Sequence, residues 1–227
     1  MTDADTPSDQ NSAPVSGKSI VITTRDRIID AAIDLFSKKG FEAASMREIS
    51  EAVGIKKSSL YSHFKGKDEI LETILKLFIG ELGKSNYQQS SQSAMIDQVL
   101  ISSGPEGLTD LVWKKFNESM ENPRILRIWR MIAIEMCRNA MIRSFFRRQV
   151  IDQPVYFWEK AFRSMIDKGL IKPSDPALLA REYYAFNVYL FLKYLLLSCD
   201  TDYERIKADA QAEALAHTRY FLEGIKI

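Results

Sequence analysis

The chain has 227 residues, 46% apolar and 11% aromatic, with 31 Lys/Arg against 30 Asp/Glu for a formal charge of +1. That is enough chain for one or two domains and enough apolar side chains for a full core. It excludes a disordered or globally polycationic protein, so any nucleic-acid affinity must come from local charge. Cys137 and Cys199 lie far apart and outside any metal-ligand spacing, so neither a disulfide scaffold nor a zinc site is expected. Both are expected to pack as small apolar residues in a reducing cytoplasm.

Residues 1–20 are polar, bear proline and serine, and lack a basic start leading into an apolar run; they are expected to be a disordered tail, not a secretory leader. From Thr24, TRDRIIDAAIDLFSKKG predicts a helix, with Ile28, Ile29, Ala32, Ile33 and Phe36 on one side, acids early, lysines late and Gly40 as a stop. SMREISEAVG opens with Ser45 and has Glu48 three residues on, a capping-box spacing, and Gly54 ends a second helix of about two turns. In IKKSSLYSHFKGKDEI, residues 55–70, Leu60 and Phe64 sit four apart and can face the two preceding helices. The other side chains must then face outward.

A short helix, a glycine-containing turn and a second short helix with a polar outer face is the helix-turn-helix plan, whose second helix enters the DNA major groove. Lys57, Ser58, Ser59, Tyr61, Ser62 and His63, with Lys56 at the entry, supply donors, acceptors and a ring for base edges and phosphates. Arg47 and Lys67 flank them as phosphate ligands. Residues 24–67 hold nine Lys/Arg against six Asp/Glu, net +3, whereas residues 68–227 hold 21 of each sign, so basic charge is concentrated at the motif.

Together, AAIDLFSKKG, SMREISEAVGI, LYSHF and the KGKDEI entry into a further helix resemble the amino-terminal DNA-binding domain of the TetR family of bacterial transcriptional regulators over about 50 ungapped residues. The resemblance implies an all-α homodimer on double-stranded operator DNA, with a divergent carboxy-terminal domain that binds a small-molecule effector. The family commonly has Thr where this chain has Met46, so the hydroxyl left to face a phosphate is that of Ser45.

Residues 67–84 predict a long amphipathic connecting helix directly after the reading head, which divides the chain into a motif domain at 21–66 and a ligand-binding and dimerisation domain at 67–227. Loops are expected at 84–93 and 102–107 around a short helix near 93–101, followed by helices at 106–120, 123–137, 141–169, 175–198 and 203–224. The 15 residues 183–197 are too few, and too interrupted by Asn187 and Lys193, to cross a membrane. The 175–198 helix is apolar nearly all round, as expected either for a helix covered by an identical helix across a two-fold axis or for a central core helix of the monomer.

Trp113, Phe116, Trp129, Tyr156, Phe157 and Tyr183, with the polar groups of Glu135 and Asn187, are candidates to line a cavity for an apolar or aromatic ligand. His63 and His217 have no nucleophile, phosphate loop or metal-ligand cluster beside them, so neither catalysis nor a cofactor is expected. These features point to a ligand-responsive regulator, most simply a repressor; the alternative is a non-catalytic small-molecule binding protein with a vestigial helix-turn-helix.

Overall fold

The computed structural model describes residues 23–83, 92–197 and 203–227. The tail at 1–20, most of the loop expected at 84–93, and Cys199 lie outside the described residues. Among the described residues ten α-helices follow in order: α1 (Thr24–Lys39), α2 (Met46–Val53), α3 (Lys57–His63), α4 (Lys67–Gly83), α5 (Gln92–Met120), α6 (Pro123–Glu135), α7 (Ala140–Phe146), α8 (Gln153–Asp167), α9 (Pro176–Leu190) and α10 (Tyr203–Ile225). Arg147–Asp152 joins α7 to α8 as a π-helical turn, and Phe191–Leu196 extends α9 in the same way. Among the described residues the only extended pairing is an isolated bridge of Ile171 with Lys226.

Helix ends follow local chemistry. Thr23 and Asp26 form a capping box at the start of α1, and Asn122 with Pro123 and Asp175 with Pro176 start α6 and α9. The loop expected at 102–107 is instead a one-residue break inside α5. Gly104 takes φ 67° and ψ −172° just before Pro105, and helix resumes at once. Proline disfavours helical backbone in the residue before it, and glycine accepts the positive φ that results. Cys137, expected to pack inside, is exposed in the turn after α6, where the chain reverses and its side chain faces outward.

The core of the first three helices has no boundary at residue 66. Ile28, Ile33 and Phe36 of α1, Ile49 and Val53 of α2, Leu60 and Phe64 join Ile74 and Phe78 of α4, Ile128, Trp129 and Ile132 of α6, and Ile142 and Phe145 of α7. Phe78 stands edge-on to Trp129 at 4.8 Å. A second cluster unites α5, α8 and α9 around Phe157, Trp158, Phe162 and Tyr183. The α9 segment is covered on two sides only. Leu179, Ala180 and Tyr183 are buried and Tyr184 and Asn187 half-buried, while Leu178, Tyr189 and Leu192 lie open. Among the described residues no helix is long and apolar enough to cross a membrane.

Candidate nucleic-acid interface and ligand cavity

In α2 the Glu48 N–H donates to the Ser45 hydroxyl at 3.2 Å, and the Ser45 N–H donates to the Glu48 carboxylate at 2.9 Å. Lys39 adds an ion pair to that carboxylate. The Lys39 hydrogen bond first, and the two from Ser45 next, hold the Glu48 carboxyl down to about 2. Gly54 ends α2 in the left-handed conformation, φ 74° and ψ 35°, which turns the chain into α3.

Two arginines fix the motif from behind. Arg27 donates to the Val53 carbonyl at 2.6 Å at the end of α2. Arg25 donates to the His63 carbonyl at 2.8 Å, and its guanidinium lies 4.0 Å from the Phe64 ring centre. Each cation meets the negative end of a short helix. With Leu60 and Phe64 buried against α1 and α2, Lys56, Lys57, Ser58, Ser59, Tyr61 and Ser62 are exposed and His63 is half-buried. Tyr61, 46% exposed, has the Lys57 ammonium 5.9 Å from its ring. Ser62 donates to the Ser59 carbonyl at 2.7 Å, which leaves its own oxygen outward as an acceptor.

The flanking residues differ. Arg47 is exposed and joined to Glu51 at 2.7 Å on the same helix face, a solvated pair that can exchange for a phosphate. The Ser45 hydroxyl is committed to the cap. Lys67 donates to the Phe41 and Glu42 carbonyls at 2.9 and 3.2 Å and lies 4.7 Å from the Phe41 ring centre, so it braces the α1–α2 turn.

A cavity of about 620 Å³ lies within the carboxy-terminal helices. Trp113, Phe116, Trp129, Tyr183 and Asn187 of the sequence-derived set line it. Burial pushes the Tyr183 phenol up to about 12, partly offset by its hydrogen bond with the Thr218 hydroxyl at 3.0 Å. Three candidates are placed elsewhere. Phe157 is buried in the second core cluster and Tyr156 is 45% exposed with Lys160 over its ring, because α8 turns other residues, Trp158 among them, toward the cavity. Glu135, 2% exposed, is not a cavity residue: its Oε1 accepts the Phe41 N–H at 2.8 Å in the turn after α1.

That contact belongs to a clamp between α6 and α1, completed by Arg124 with Asp30 at 2.8 Å and Arg127 with Asp34. The same α6 carries Trp129 into the cavity wall, and α4, whose Lys67 braces the reading head, contributes Ile79 and Gly80. Both helices touch the cavity and the motif. Sequence reasoning missed Arg25, Arg27 and the bridging role of Glu135, whose partners are 38, 26 and 94 residues away in sequence. It also missed Gln149, Gln153 and Lys207 in the cavity wall. The acids of α1 at a four-residue interval, Asp30 and Asp34, facing a basic pair in α6, Arg124 and Arg127, were the one available signal.

Residues 28–74 match the family profile of bacterial regulatory proteins, tetR family. A 71-residue stretch is 42% identical to the biofilm operon icaADBC HTH-type negative transcriptional regulator IcaR of Staphylococcus aureus, covering 28% of this chain and 38% of that one. The chain thus spans less than two fifths of the length of such curated relatives. Two solved structures share the fold across nearly the whole chain. SmeT of Stenotrophomonas maltophilia in complex with triclosan is 20% identical with a TM-score of 0.62, over 90% of this chain and 92% of that one. The flavonoid-responsive regulator FrrA is 21% identical with a TM-score of 0.56, over 89% and 97%.

Proposed function

From the chain's membership of the TetR family of bacterial regulatory proteins, carried by residues 28–74, we propose that it is a ligand-responsive transcriptional repressor. It acts in the cytoplasm as a homodimer on a near-palindromic operator and is released when a small apolar or aromatic molecule fills the cavity. The observation that carries the reading is the outward row of Lys57, Ser59, Tyr61 and Ser62 on a helix whose apolar side is wholly buried. IcaR, a negative regulator, is similar over this part. Ligand response is supported by the aromatic cavity and by SmeT and FrrA, one complexed with triclosan and the other flavonoid-responsive.

The open apolar side of α9 and its extension, with Leu178, Tyr189 and Leu192, adjoins Tyr220 of α10 at Tyr189, and an identical face across a two-fold axis would cover it. Two recognition helices must lie about 34–36 Å apart, or a multiple, to enter successive major grooves. Filling the cavity presses on Trp129 of α6 and Ile79 of α4, and both helices lead to the motif. A coupling of about 1–3 kcal/mol along them would weaken DNA binding roughly 5- to 150-fold.

Fluorescence anisotropy with labelled DNA flanking the protein's own gene tests this. A salt-sensitive specific complex that dissociates with compounds raising the melting temperature is expected. Stabilising compounds that leave operator affinity unchanged would refute the coupling, and no specific complex on any nearby palindrome would favour the non-catalytic binding protein.

A further inference from the structure

We propose that the cavity selects a flat aromatic molecule carrying an anionic oxygen, an arenecarboxylate or phenolate, with that oxygen directed at Lys207 and Asn117; this rests on the effector-cavity reading above. The charge of the wall is one-sided. Among the described residues Lys207 of α10 is the only Asp, Glu, Lys or Arg side chain lining it. Its side chain is 20% exposed, and one of its three donors meets Glu121 at 2.9 Å. Glu121 is 65% exposed, so solvent screens its charge, and among the described residues two Lys207 donors remain. Other carboxylates near the wall do not line it: Glu213 is bound to Lys193 and to the Tyr194 hydroxyl, and Asp110 reaches the Tyr183 phenol only through its field. Among the described lining residues a cationic guest would therefore meet an ammonium and no carboxylate.

Asn117, Gln149, Gln153 and Asn187 supply amides to the wall, and the first of them sits beside the same lysine. Asn117 precedes Glu121 by one turn of α5, and its backbone carbonyl accepts the Glu121 N–H, so its wall-lining amide lies within a turn of the residue that holds Lys207. The tyrosine hydroxyls of the wall are already engaged: Tyr183 with Thr218, Tyr184 with the Val150 carbonyl at 2.6 Å and Tyr194 with Glu213. The Lys207 ammonium and the Asn117 amide thus offer an anionic oxygen a charged donor and a neutral one at the same end. Elsewhere, between the Gln149, Gln153 and Asn187 amides, rings dominate the wall, with Trp158 edge-on to Tyr183 at 4.5 Å and Trp129 tilted against Phe191 at 4.9 Å. Such surfaces favour a flat ring over an alkyl chain. Ring faces also attract cations, but Lys193, 4.8 Å from the Tyr194 ring centre, already takes one of them.

All three tryptophans of the chain, Trp113, Trp129 and Trp158, line this cavity, so intrinsic fluorescence reports its occupancy directly. Titrating the full-length protein with naphthoate, methyl naphthoate, naphthyltrimethylammonium and decanoate separates charge from ring. Naphthoate is expected to bind about tenfold or more tighter than each of the others, the scale of one charge-assisted hydrogen bond. Lys207→Met should remove its advantage over the ester, and Lys207→Arg should keep it. Binding of the ammonium or of decanoate as tight as naphthoate, or an unchanged ranking in Lys207→Met, overturns the inference while leaving the cavity reading intact. A fluorescence signal that none of the four compounds alters overturns both. If Lys207→Met does not fold, the ranking on the unaltered protein decides.

Discussion

Gly40→Ala should destabilise the protein through Glu135, 95 residues away in the chain. Gly40 adopts φ 87° and ψ 162°, a region that side chains other than glycine's enter at about 1–3 kcal/mol. A Cβ there would also lie 2.5 Å from Glu135 Oε1, the atom that accepts the Phe41 N–H. The carboxylate must withdraw, which strands a buried donor at a further cost of about 1–3 kcal/mol. The single substitution should therefore cost about 2–6 kcal/mol, by the same two terms. Glu135→Ala alone also strands the Phe41 N–H, but in its background Gly40→Ala keeps only the backbone cost. The double mutant should then be more stable than the sum predicts by about 1–3 kcal/mol, the hydrogen-bond term counted once instead of twice. Urea denaturation followed by circular dichroism, with equal m-values across the four proteins, measures this cycle. Additivity within about 0.5 kcal/mol would show that the two sites are independent and refute the reasoning.

Tyr61→Ala and Lys57→Ala should each weaken operator binding by about 1–3 kcal/mol with an unchanged melting curve; wild-type affinity in the double substitution would remove α3 from the interface. Arg47→Ala should flatten the salt dependence of binding by about one phosphate contact. Lys67→Met should instead lower thermal stability by loosening the α1–α2 turn, and a flattened salt slope without loss of stability would put Lys67 on a phosphate. Because the Glu48 carboxyl is depressed from its ordinary 4.5 to about 2, its cap stabilises the motif fully above pH 4.5 and loses that contribution as pH falls toward 2. Glu48→Gln should therefore be less stable than the parent at neutral pH, with the gap closing through this window in an acid titration; a constant gap would exclude the carboxylate's charge as the cause.

The reading head was legible because its determinants are local. A capping box spans three residues, the Leu60 and Phe64 spacing spans four, and Gly54 punctuates one turn, so the sequence by itself determined three helices and the side chains left facing outward. Helix periodicity likewise determined an all-α chain and the long rod at Lys67–Gly83. Only the tertiary structure decided which aromatic residues enclose space and which fill it. Phe157 and Trp158 are neighbours in the chain, both buried, yet Trp158 alone lines the cavity, because helical neighbours point about 100° apart and the packing of α5 and α9 around α8 selects between them. Tertiary structure also decided the fate of the polar candidates. Glu135 sits in an apolar helix and could have served a ligand from sequence alone, but the crossing of α6 over α1 brings it to the Phe41 N–H instead. Long-range pairing of this kind depends on how helices cross, which no periodicity within one helix encodes.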